Sequence, residues 1–262
     1  MNWQPQTWHG NGHSMMVYRV GQGHAQPVFV WAHGWGQNAH CFLPLMHDMQ
    51  GMGQHVMIDF PGFGQSPPPP QAWDVSQYAD CVAEALNSAG INGPLVWVGH
   101  SFGCRVGVHV AAKKLLPLQH MFLLACPGLP YARPLIKQIK LSAKRIIMRA
   151  ARVLPHNFPL RAWLREKLGS ADYQQAGVMR PTLIKVLQDD LTSLVPRILC
   201  PTTLIYGDAD IETPPAIGKK FCALRPKTRL HELQGYDHLT ILTDARFQVS
   251  RIVRENVKGL VE

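Results

Sequence analysis

Short, fully apolar runs alternate along this chain with longer stretches whose apolar positions recur every three or four residues. Val28–Ala32 and Leu95–Val98 contain no polar position, the pattern of strands buried on both faces. Met15–Val20, His55–Asp59, Met121–Ala125, the segment PTTLIYG and the segment TRLHEL read as further strands. Between them, helical spacing appears from about Asn38 to Met49, from Asp74 to Ala89, after Ser101, from Pro214 and from Thr240. The second of these sets Val75, Tyr78, Val82, Ala85, Leu86 and Ala89 on one side, with Asp74 or Ser76 near its cap. The segment FPGFGQSPPPPQ is a loop, because four consecutive prolines suit neither a helix interior nor a central strand. Strands that alternate with helices predict an α/β fold, a mostly parallel sheet covered on both faces.

One stretch breaks the alternation. Between Ala125 and Thr203 no convincing strand occurs, and the interval is too long for a bare loop in a compact domain. It is expected to carry its own helices, at about Pro134–Leu154, Leu160–Leu168 and Pro181–Leu194. The predicted division is therefore an α/β core from residues 1–126 and 196–262, with residues 127–195 inserted as a helical lid.

Charge sharpens that picture. The chain has 262 residues and a formal net charge of +9, and ten of its 26 lysines and arginines lie between Tyr131 and Leu168 with a single acid, Glu166. The rest of the chain is balanced, so the whole excess belongs to the insertion. Leu135, Ile139, Ile146, Ala150 and Val153 form an apolar stripe of its first helix. Lys137, Lys140, Lys144, Arg145, Arg149 and Arg152 fall within the same few turns and could present a positive face to an acidic partner. Acyl carrier protein, coenzyme A thioesters and anionic lipid surfaces fit that description. Nucleic acid does not, since no reader motif or aromatic interleaving accompanies the charge.

Other classes are excluded more simply. No apolar run is long enough to span a bilayer, and the first residues lack a signal-peptide core, so an unexported, cytoplasmic protein is expected. Six scattered cysteines without a C-x-x-C pair are expected to be reduced. Thirteen histidines show no metal-ligand spacing, and neither a metal nor another cofactor is called for.

The chemistry starts at residues 95–110, LVWVGHSFGCRVGVHV, where a buried strand meets Gly99-His100-Ser101-Phe102-Gly103 and continues as a helix. A turn of this kind holds one hydroxyl above the carboxyl edge of the sheet, and G-x-S-x-G is the motif of a strained, exposed nucleophile. Three other stretches follow strands in the same way: His33-Gly34-Trp35-Gly36, Gly207-Asp208-Ala209-Asp210, and Gly235 to His238. Serine, then aspartate, then histidine is a chain order distinct from that of chymotrypsin or subtilisin.

With D-x-P-G-x-G-x-S from Asp59 to Ser66, these motifs resemble the serine hydrolases of the α/β-hydrolase superfamily over nearly the whole chain. The resemblance implies a sheet of about eight strands, with Ser101 as nucleophile, Asp210 as acid and His238 as base. Asp208 competes for the acid role, but the family places the acid three residues after Gly207. It also implies an oxyanion hole from the backbone N–H groups of Trp35 and Phe102. Serine at the elbow separates the chain from relatives that attack with a carboxylate and points to carboxylic ester hydrolysis. Carrier-protein or coenzyme A thioester hydrolysis, C–C bond hydrolysis and a ligand receptor with negligible turnover are the other readings. A second likeness is to the esterases that demethylate pimeloyl-carrier protein, which resemble G-W-S-x-G at the elbow where this chain has His100.

Overall fold

The computed structural model describes residues 4–21, 27–91, 93–131 and 174–261. Eight strands form one sheet: β1 (Gln4–Gly10), β2 (His13–Val20), β3 (Val28–Ala32), β4 (Gln54–Ile58), β5 (Leu95–His100), β6 (Leu118–Leu124), β7 (Thr202–Gly207) and β8 (Arg229–Leu233). Their order is β1-β2-β4-β3-β5-β6-β7-β8; β1 and β2 are antiparallel to their neighbours and the remainder is parallel.

The apolar runs take central places. In β5, Leu95 and Trp97 face one layer and Val96 and Val98 the other, and all four are fully buried. The first layer holds α2 (Val75–Ser88), α3 (Phe102–Ala112) and α5 (Pro215–Leu224). The second holds α1 (Leu43–Asp48), α6 (Thr240–Thr243) and α7 (Arg246–Val261). A further helix, α4 (Arg180–Gln188), lies between β6 and β7 in the chain and buries Leu183 and Val186. Asp74 caps α2, its carboxylate accepting the Gln77 N–H at 2.9 Å while the Gln77 side chain accepts the Asp74 N–H, a reciprocal capping box.

Several boundaries depart from the sequence reading. The helix expected from Asn38 is a 3₁₀ turn (Ala39–Phe42) followed by the short α1, with Pro44 in its first turn. The helix expected over Pro181–Leu194 ends at Gln188, where Asp189 turns extended, and two 3₁₀ turns follow. The last helix is divided at Asp244–Ala245. β1 was not anticipated, because its polar residues carry no apolar period. Its signal was the turn Asn11-Gly12, with both residues at positive φ, which closes the hairpin to β2. All six cysteines are unpaired. Among the described residues no helix is long and apolar enough to cross a membrane.

Candidate active site

Ser101 sits between β5 and α3 at φ 47° and ψ −107°. Positive φ on a non-glycine residue costs on the order of 1–3 kcal/mol and persists only where its surroundings enforce it. Here the Ser101 N–H donates to Leu124 O at 3.0 Å, the Cys104 N–H donates to Ser101 O at 3.0 Å, and the Trp97 indole N–H donates to Gly103 O at 3.1 Å. The start of α3 lies so close to β3 that a Cβ on Gly103 would be 1.9 Å from Ala32 O. Neither backbone can yield without disturbing the sheet, so Gly103→Ala should cost about 3 kcal/mol or more. A urea midpoint unchanged from wild type would contradict this.

His238 lies in the loop before α6, and its Nδ1–H donates to Asp210 Oδ2 at 2.8 Å. Asp210 follows β7 and is 2% exposed. Its Oδ1 accepts the N–H groups of Glu212 and Thr213, both at 2.8 Å, and its Oδ2 also accepts the Thr213 hydroxyl at 2.7 Å. Burial by itself would raise the Asp210 pKa; the His238 hydrogen bond and charge and the Thr213 donors outweigh it, and the net shift is downward. The carboxylate is thus held ionised against the imidazole. Asp208 is exposed and accepts the Gly235 N–H at 2.7 Å, a turn contact away from the imidazole. Asp237 is exposed as well and takes the N–H groups of Leu239 and Thr240.

The loop after β3 carries Trp35. His33, fully buried, is braced on both sides: its Nδ1–H donates to Gly34 O at 2.7 Å and its Nε2 accepts the Phe60 N–H at 3.0 Å. Burial lowers its pKa to about 4, which keeps that tautomer neutral. Below it, the buried Asp59 accepts the Ala39 N–H at 2.7 Å and the Gln65 N–H at 2.8 Å, while the Ser66 hydroxyl donates to Asp59 O at 2.6 Å. The motif from Asp59 to Ser66 therefore holds neighbouring loops in place. Among the described residues, no acceptor takes the backbone N–H of Trp35 or Phe102.

Ser101, His238, Trp35 and Phe102 all line one cavity of about 760 Å³. Apolar walls come from Leu129, Leu183, Val186 and Ile217, and charge from Arg105, Asp189, Asp190 and Glu212. Arg105, one turn along α3, is buried and donates from Nη1 to Asp189 O at 2.6 Å, while His109 Nε2 meets Asp189 Oδ1 at 3.0 Å. This cluster ties α3 to the chain leaving α4. Glu212 Oε2 lies 3.7 Å from His238 Nε2, on an exposed side chain.

Residues 28–250 match the model of the alpha/beta hydrolase family. The chain belongs to that family. It is 28% identical over 247 residues to the pimeloyl-[acyl-carrier protein] methyl ester esterase of Chromobacterium violaceum, an alignment covering 88% of this chain and 93% of that one. Among solved structures, a thermophilic esterase from Thermogutta terrifontis superposes with a TM-score of 0.72 at 20% identity, covering 99% of this chain and 100% of the other. E-2-(acetamidomethylene)succinate hydrolase superposes with a TM-score of 0.73 at 19% identity, covering 98% and 100%.

Of the residues singled out in the sequence, Ser101, Trp35, Phe102 and His238 share the cavity wall, and Asp210 stands behind His238. Lys137, Lys140, Lys144, Arg145, Arg149 and Arg152 lie outside the described residues. Thr213, Glu212, Arg105, Asp189 and Gln37 were not anticipated. Thr213 sits three residues past Asp210 and had a local signal, a hydroxyl at the spacing of a turn. Gln37 has a local contact too, its side chain accepting the Gly34 N–H at 2.9 Å; Arg105, Asp189 and the Glu212 carboxylate meet their partners only through the packing of distant loops.

Proposed function

We propose that this hydrolase cleaves carboxylic esters through an acyl-Ser101 intermediate. Ser101 Oγ attacks the carbonyl carbon and its proton passes to His238 Nε2, while Asp210 orients the ring and stabilises the imidazolium. The N–H groups of Trp35 and Phe102 receive the developing oxyanion, each donor worth about 3 kcal/mol of barrier. Collapse expels the alcohol, which takes the proton from His238; water then attacks the acyl-enzyme with His238 as base. The scheme needs no cofactor. Its principal support is the 2.8 Å contact between His238 Nδ1 and the buried Asp210, on the cavity that also receives the strained Ser101.

Incubation with a fluorophosphonate should label Ser101 alone, and p-nitrophenyl butyrate should be turned over in the steady state. Labelling without turnover would favour a receptor. Preference for a ring-fission β-diketone over esters would favour C–C bond hydrolysis.

The partner reading extends this proposal. Residues 127–195 serve as a lid on the core made by 1–126 and 196–262, and its basic face docks the acidic carrier protein or coenzyme A of a longer acyl substrate. The 28% identity to a carrier-protein methyl ester esterase and the concentration of charge in this segment support it. Reversing Lys140, Lys144 and Arg145 to glutamate should lower kcat/KM for an acyl-carrier-protein ester and spare p-nitrophenyl butyrate, with the difference shrinking in high salt. Equal loss on both substrates would reject docking.

A further inference from the structure

His100, the residue before Ser101, is buried, and each of its ring nitrogens faces an oxygen from a different loop. Its Nε2–H donates to the backbone carbonyl of His238 at 2.8 Å, and its Nδ1 lies 2.9 Å from Gln37 Oε1. The same Gln37 oxygen accepts the Gly34 N–H at 2.9 Å. The packing here is tight enough that a Cβ on Gly34 would sit 2.6 Å from Gln37 Oε1 and 2.8 Å from His100 Nδ1. The His100 and His238 rings lie 4.9 Å apart, centroid to centroid.

Three chain segments that carry the proposed chemistry therefore converge on one ring. The Gly34–Gln37 turn contains Trp35, His100 is joined by its own peptide bond to Ser101, and the contact with His238 is to the main chain that carries the imidazole. The hydrogen bond to the His238 carbonyl and the close approach to Gln37 restrict the loops without touching a reacting atom. Burial, and then the charge of His238, lower the His100 pKa to about 3, so the ring does not compete with His238 for the proton of Ser101 at neutral pH.

We infer that His100 is a positioning residue, a strut that holds the turn presenting the Trp35 N–H and the backbone of His238 at a fixed separation across Ser101. The inference rests on the proposed roles of Ser101, His238 and Trp35. It names a function for the elbow position that a bare G-x-S-x-G motif leaves open.

His100→Phe keeps a ring and removes both polar contacts. It should lower kcat for p-nitrophenyl butyrate about 10- to 100-fold while KM stays within about twofold, because a small displacement of donor or base penalises the transition state selectively. His100→Gln, which can still donate to the His238 carbonyl, should recover part of that loss. Gln37→Leu should lower kcat in the same way, and the double variant His100→Phe/Gln37→Leu should be no slower than the worse single one. Amide hydrogen exchange should quicken at residues 34–37 and 237–239 together in His100→Phe, while β5 and β6 keep their protection.

Unchanged kcat and unchanged exchange in His100→Phe would overturn the inference. So would fully additive losses, or a phenylalanine variant that folds less well but is not rescued by glutamine. If exchange quickens at both loops while Ser101→Ala retains activity, the strut stands and the assignment of Ser101 as nucleophile is what fails.

Discussion

Replacing Ser101 with alanine should lower kcat/KM for a p-nitrophenyl ester by about 10⁴-fold or more and abolish fluorophosphonate labelling, with thermal stability kept or raised. The rate estimate follows from losing the proposed nucleophile of a unit whose members, in that proposal, act together. The stability expectation follows from the backbone: alanine at φ 47° is strained like serine, but the change deletes no hydrogen bond of the Ser101 side chain that the fold depends on, since the elbow is held by the backbone bonds of Ser101 and Cys104. Asp210→Asn should cost about 10³- to 10⁴-fold in kcat, because an amide in that place no longer selects the Nδ1–H tautomer of His238 or stabilises its cation. Asp208→Asn loses at most one turn contact to the Gly235 N–H, and should cost about 1 kcal/mol of stability with kcat nearly intact. The opposite ranking of the two aspartates would reverse the assignment of the acid. Residual activity of Ser101→Ala near that of wild type would remove the acyl-enzyme from the scheme.

The second large effect is acid lability. His33, His55, His100 and His120 are all buried, and burial lowers their pKa values from 6.5 to about 4, 4, 3 and 4 respectively. In the unfolded chain each returns to its ordinary value, so between about pH 6.5 and pH 4 the unfolded state binds protons that the folded state refuses. Stability is therefore fully present above the unfolded pKa and falls as the pH drops. Each histidine contributes a slope of up to about 1.4 kcal/mol per pH unit and the four together up to about 5.6, against a typical total of about 5–15 kcal/mol. Asp210, with its lowered pKa, adds loss of the same sign at still lower pH. Urea midpoints should hardly differ between pH 8 and 7 and fall steeply below pH 6.5. His120→Leu removes one titrating ring and should flatten that slope by about a quarter. Midpoints level from pH 7 to 5 would mean that these rings titrate normally in the folded protein.

The same histidines separate what is local in this protein from what is not. Val28–Ala32 was legible as a strand because five consecutive apolar residues must be hidden on both faces, and nothing distant can change that demand. The elbow was legible because a glycine-flanked serine between a strand and a helix is a short-range signature, and α2 because its period and its cap are written within a few turns. The polar strand β1 had no period to read and depends on pairing with β2, so only its turn announced it.

Contacts across long separations in the chain belong to the tertiary structure alone. Asp208 and Asp210 are two residues apart on one loop, and only the path of the chain after β7 turns Asp210 toward an imidazole 28 positions away and leaves Asp208 on a turn. His100 reads in the sequence as a neighbour of Ser101; its bond to the carbonyl of His238, 138 positions on, exists because parallel strands bring successive loops to one edge of the sheet. The sequence by itself determined which residue types stand at the ends of the strands, since hydrophobic period and turn chemistry act over a few residues. The sheet order, and with it which of those residues touch, was decided by packing among segments that have no local knowledge of one another.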